Sequence, residues 1–123
     1  MYSYQRIKNN NSEDNVVEYY KYGDGRLVTI IRRYLSLSLS TSAINSNYKT
    51  GSFSFYDSYP VPYINNPTIT YSAINPTTDA SKISMYSFTS DGKTSPGTFE
   101  VINLGNANYW TGTVIVRAEG RWK

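Results

Sequence analysis

Asn106-Ala107-Asn108-Tyr109-Trp110 sets two amides beside two aromatic rings. Such a segment offers a flat apolar face and polar groups that can replace the water around a sugar's hydroxyls. Strand alternation sends Trp110 inward, where it opens the next strand, and leaves Tyr109 as the exposed ring. Asp57-Ser58-Tyr59 and Asn45-Ser46-Asn47-Tyr48 share the same amide, acid and tyrosine character, although each taken singly reads as an ordinary loop. The ligand-binding candidates are therefore Asn106, Asn108 and Tyr109, with Asp57, Tyr59 and Asp91 as a second tier.

Bond-making chemistry has fewer parts to work with. The 123 residues include neither histidine nor cysteine, so Ser-His-Asp and Cys-His nucleophile systems and zinc sites built on imidazole or thiolate lack their ligands. Asp57, Asp79, Asp91, Glu100 and Glu119 could supply an acid/base pair for glycoside hydrolysis, but that needs two carboxylates facing each other at a set separation. Nothing in their spacing brings two together, and each reads as a solvated turn aspartate or strand-face glutamate. Asp91-Gly92-Lys93 lacks the alternating oxygens of a calcium loop. Gly23-Asp24-Gly25 is followed by neither a helix nor Gly-Lys-Ser, so it is no phosphate loop. The expectation is a binding protein with no catalytic residue, metal or cofactor.

The elements that must position these loops are strands. Ser at 16, Thr at 12 and Asn at 12 outnumber Glu at 4 and Ala at 5, and with 13 tyrosines this composition disfavours helices and suits pleated surfaces. Residues 1–15 are polar and read as an N-terminal arm or linker, with one domain over 16–123. Strands are predicted at 16–22, 27–40, 52–56, 68–74, 82–89, 98–104 and 110–119. Leu35, Leu37 and Leu39 share one parity and Ser36, Ser38 and Ser40 the other, the period of a half-buried strand. The run at 27–40 is long enough to predict a bulge or bend near Arg32-Arg33.

Pro60 and Pro62 place the connection at 57–66 at an edge. Ser42-Ala43-Ile44-Asn45 recurs as Ser72-Ala73-Ile74-Asn75, but the flanks differ and no repeat follows. Seven or eight short strands with regular turns predict an all-β antiparallel sandwich, jelly-roll-like, with Leu35, Leu37, Leu39, Phe53, Phe55, Val114 and Val116 in its core.

A formal charge of +3, with Arg32-Arg33 as the one adjacent basic pair, is a small footprint for nucleic acid. No apolar run is long enough to cross a membrane and the N-terminus has no apolar signal region, so neither membrane insertion nor export is expected.

Three stretches resemble the C-terminal tip domains of tail fibres and related tail proteins from phages and prophages of Gram-positive bacteria. They are Tyr19-Tyr20-Lys21-Tyr22-Gly23-Asp24-Gly25-Arg26-Leu27, Tyr59-Pro60-Val61-Pro62-Tyr63 with Pro67, and Val116-Arg117-Ala118-Glu119-Gly120-Arg121-Trp122-Lys123. The resemblance spans residues 16–123, and none of the three is a catalytic motif. It implies a trimeric sandwich at the end of a fibre, found in the virion tail, that contacts a host cell-surface glycan and other tail proteins. Such proteins usually carry a long N-terminal shaft, and this chain is read as an excised domain or a small separately encoded subunit. The competing expectation is a structural virion part, a cap, connector or trimerisation module. A polysaccharide depolymerase ranks below both.

Overall fold

The computed structural model describes residues 3–8, 14–41, 48–55, 59–79 and 84–123. Among these residues nine strands form in chain order: β1 (Ser3–Lys8), β2 (Asn15–Lys21), β3 (Arg26–Ser38), β4 (Ser40–Thr41), β5 (Lys49–Phe55), β6 (Thr68–Thr78), β7 (Ser84–Ser90), β8 (Gly97–Asn103) and β9 (Tyr109–Arg121). One sheet has the order β1-β2-β3-β9-β6 and the other β4-β5-β8-β7, with every pairing antiparallel. The fold is an all-β sandwich. From β3 onward the chain crosses between sheets to β5, back to β6, over to β7 and β8, and returns as β9 between β3 and β6, a jelly-roll-like winding.

Alternation decides which residues fill the core. In β3 the odd positions from Leu27 to Leu37 are buried, and the exposed residues fall at even positions. On β9 Trp110, Val114, Val116 and Ala118 face the same interior. Rings carry the core from one sheet to the other: Phe99 lies 5.6 Å from Trp110 and Tyr71 stacks on Phe88 at 5.6 Å. Trp110 Nε1 donates to the Tyr86 hydroxyl at 3.3 Å, which gives the indole its polar partner. Of the seven core residues expected from sequence, six are buried and Phe53 is partly so.

Four local expectations are corrected. Ser3–Lys8, read as part of a polar arm, pairs along its full length with β2. It is an exposed edge strand, and Ile7 on its core-side face remains 40% exposed because little of the second sheet reaches it. No bulge occurs at Arg32-Arg33, where β3 runs in unbroken register with both β2 and β9. The register shift lies instead in β6 between Ile74 and Thr77, where Asn75 takes φ 52° and Pro76 has no ladder donor. The long run at 27–40 also splits at Leu39, which is buried while its flanks join different sheets.

The proline segment is not a simple edge. Tyr59 and Tyr63 turn inward and plug one end of the sandwich, their rings 4.9 Å apart and edge to face. Their backbone amides donate to the carbonyls of Thr94 and Lys93 in the β7–β8 turn. Gly120 makes room for this plug, since a Cβ there would come within 2.9 Å of the Tyr63 ring.

Candidate functional site

The two ends of β8 give the sandwich two rims, about 20 Å apart at the usual rise of about 3.3 Å per residue. Asn106 and Asn108 sit on the β8–β9 loop and Tyr109 opens β9, all at the Asn103 end. Asp91 and Tyr59 sit at the Gly97 end, because the β7–β8 turn precedes Gly97 and the segment after Phe55 hydrogen-bonds to that turn. Asp57 lies outside the described residues. The first tier of candidates is thus gathered on one rim, and Asp91 and Tyr59 are not brought to it.

The loop at the Asn103 end is tightly braced. The Asp79 carboxylate, just past β6, accepts from the backbone N–H of Asn108 at 2.7 Å, from Asn108 Nδ2 at 3.0 Å and from the backbone N–H of Tyr109 at 3.3 Å. Lys49 Nζ donates to Asn108 Oδ1 at 2.9 Å, and the Asn108 carbonyl accepts from Leu39 N–H at 2.9 Å. Desolvation works to raise the Asp79 carboxyl, but the bonds from the Asn108 and Tyr109 amides outweigh it and hold the group below its ordinary value. Ala107, fully buried, pins the middle of the loop to the core.

This geometry reassigns Asn108. Both ends of its amide are engaged within the protein, so it braces the loop. Asn106 is exposed and has no side-chain hydrogen bond among the described residues. Tyr109 is 45% exposed, on the solvent face opposite Ser38, and Trp110 beside it is fully buried, as alternation requires. The rim therefore presents one ring and one amide on a fixed backbone. Asp79 and Lys49 were not distinguished by sequence as parts of this loop. They stand 29 and 59 residues from Asn108, and a turn aspartate and a strand lysine carry no local mark of such a role.

Tyr59 is corrected as a surface candidate. It is 4% exposed, and its hydroxyl is buried without a hydrogen-bond partner in the described structure, so it belongs to the plug. Asp91 is exposed but locked into its turn: its amide donates to the Pro96 carbonyl at 3.0 Å and its Oδ2 accepts from Ser95 Oγ at 2.7 Å. The remaining carboxylates that were weighed for acid/base work lie apart. Glu100 pairs with Ser52 and Ser87 on the outer face of the four-stranded sheet, and Glu119 with Arg117 at 2.7 Å on the outer face of the other. Among the described residues no three acidic groups cluster as a metal site would require. Among the described residues no helix is long and apolar enough to cross a membrane.

Comparison with protein-family models, with curated proteins and with solved structures finds no match.

Proposed function

We propose that this chain is a non-enzymatic receptor-binding tip of a tail fibre or related tail protein, and that the Asn103 rim recognises a saccharide on the bacterial surface. The observation that carries the reading is an exposed ring, Tyr109, beside an exposed amide, Asn106, on a loop fixed from two strands by Asp79 and Lys49. A preformed loop orders little on binding, which favours recognition of a ligand as hydrated as a sugar. One ring and one amide give weak single-site affinity. A homotrimer at the end of a fibre would present three rims, and avidity would carry attachment.

A second reading has its own support. On the outer face of the five-stranded sheet Tyr4 and Tyr34 are 45% and 51% exposed, and Tyr20 packs against Tyr4 with ring centroids 4.9 Å apart. Exposed tyrosines of this kind suit subunit contacts or contacts with other tail proteins, the arrangement of a cap, connector or trimerisation module.

Labelled protein added to Gram-positive cells, before and after the wall polysaccharide is stripped, separates the two. Receptor binding predicts adsorption that stripping abolishes and that Tyr109→Ala weakens several-fold with no change in melting temperature. If Tyr109→Ala adsorbs as wild type does, or if stripping has no effect, the rim is not a saccharide site and the structural reading stands.

A further inference from the structure

Three side chains on the Asn103 rim are set for chemistry that ligand binding does not use. Lys49 on β5, Asp79 just past β6 and Asn108 just before β9 come from separate elements and meet at one amide. Lys49 Nζ donates to Asn108 Oδ1 at 2.9 Å, and Asn108 Nδ2 donates to Asp79 Oδ2 at 3.0 Å. The orientation of the amide follows from its partners, since an ammonium has no acceptor and a carboxylate no donor. Asp79 Oδ1 is taken by the backbone N–H groups of Asn108 and Tyr109, which leaves Oδ2 against the amide nitrogen.

The lysine nitrogen is within reach of bond formation. A C=O bond is about 1.23 Å long, so a nitrogen 2.9 Å from Oδ1 lies no more than about 4.1 Å from Asn108 Cγ, and attack needs about 3–3.5 Å. A small rotation of the lysine stem closes that gap, while the main chain on both sides is fixed. Lys49 is held in ladders with Thr41 and Asn103, and the Asn108 carbonyl accepts from Leu39 N–H at 2.9 Å. The charges of Lys49 and Asp79 cancel, so a proton can pass from one to the other without leaving net charge behind. The chain has no cysteine, so no disulfide ties its sheets together.

We propose that Lys49 and Asn108 join in an intramolecular isopeptide bond, with Asp79 as the proton carrier. One proton passes from the Lys49 ammonium to the Asp79 carboxylate. The neutral Nζ attacks Asn108 Cγ, and the new N–C bond pushes the carbonyl electron pair onto Oδ1. When that pair returns, the bond from Cγ to Nδ2 breaks and the leaving nitrogen takes the proton from Asp79. The surplus proton on Nζ then passes by way of Asp79 to the ammonia, which departs as ammonium, and Asp79 ends as the carboxylate it began as. Nothing but the chain's own groups enters the reaction. Because these contacts are exposed, the amine is mostly protonated near neutral pH and closure is slow, so the freshly folded chain carries only the hydrogen bonds. The bond uses neither the Tyr109 ring nor the Asn106 amide and does not depend on the saccharide reading of this rim.

Mass spectrometry of the intact chain and of its tryptic peptides, freshly purified and after days at mildly alkaline pH, tests it. The single chain should lose one ammonia as it ages. Trypsin should then fail to cut after Lys49 and should release a branched peptide that joins Lys49 to Asn108. Lys49→Arg keeps the cation but cannot form this amide, and it should show neither the mass loss nor the branched peptide. Asp79→Asn keeps the shape without the proton carrier and should slow linkage about a hundredfold or more. If Asp79→Asn also loosens the loop, seen as faster hydrogen exchange at the Asn108 and Tyr109 amides, Asp79→Glu should recover most of the lost rate. An ammonia loss that persists undiminished in Lys49→Arg would mark closure of Asn108 onto its own backbone as a succinimide and would overturn the proposal. So would a wild-type chain that ages without the branched peptide, linkage in Asp79→Asn at the wild-type rate, or a failure of Asp79→Glu to recover it.

Discussion

Raising the pH should destabilise this protein through the tyrosine plug, and Tyr63 sets the size of the effect. Its ring is 3% exposed, and its hydroxyl lies 2.9 Å from Thr29 Oγ1 and 3.1 Å from the Ala118 carbonyl oxygen. Burial pushes its phenol from the ordinary 10.0 up to about 12, against the opposing pull of the Thr29 hydrogen bond. Tyr59 is raised as well, first by burial and then by the charge that an ionised Tyr63 would place beside it. In the unfolded chain the Tyr63 phenol ionises near 10, so between pH 10 and 12 the unfolded state binds fewer protons than the folded one. Stability is complete below that window and falls as pH rises through it. At about 1.36 kcal/mol per pH unit, Tyr63 alone accounts for about 2.7 kcal/mol, most of it lost by pH 12.

Urea unfolding across this range, in wild type and in Tyr63→Phe, isolates that contribution because phenylalanine cannot ionise. At neutral pH the variant should be about 1–3 kcal/mol less stable, since Thr29 or Ala118 loses its buried partner. Above pH 10 the difference should shrink and vanish or reverse near pH 12. A difference that stays constant from neutral pH to 12 would refute the argument. Tyr34→Phe, on a side chain 51% exposed, should track wild type throughout.

Leu37→Asp should leave the chain unfolded in circular dichroism, because an unpaired carboxylate at an 8% exposed core position costs several kcal/mol, comparable with the stability of a small domain. Asp79→Ala should speed hydrogen exchange at the Asn108 and Tyr109 amides about tenfold while hardly moving the melting temperature, since the bonds it breaks are exposed and local. In wild type the same amides should keep their protection above the ordinary 3.8 of the Asp79 carboxyl and lose it as pH falls through the lowered value. Multi-angle light scattering should return the mass of three chains; a single-chain mass at high concentration would dispose of the trimer.

The leucine and serine alternation of β3 was readable from sequence because one side chain in two meets the core along an unbroken ladder. Trp110 and Tyr109 were separated correctly on the same ground. Period two says nothing about partners far away in the chain, and the errors lie there. The bracing role of Asn108 was not legible because Asp79, just past β6, and Lys49, on β5, come to it from two different sheets. Tyr59 looked like a surface ring because a proline-rich segment has no alternation to show that it turns inward. Ser3–Lys8 is too polar to mark itself as a strand, and only the full-length pairing with β2 makes it one. The bend expected in the longest run fell at Asn75-Pro76 instead, since a strand flanked on both sides is held straight and an edge strand is free to shift register.

β9 occupies the second place from the edge of its sheet, yet it is the final strand of the nine. Among the described residues β6 pairs within that sheet with β9 alone, so during synthesis β6 waits for a strand that begins some thirty residues later. Until then the ladder groups of β6 and the leucine face of β3 are open to any neighbouring chain. Folding should be slow and governed by these distant pairings, and it finishes only when β9 enters between strands made much earlier. In a cell producing many copies at once, that interval is when nascent chains are most exposed to one another, and recovery of folded protein should fall as the expression rate rises.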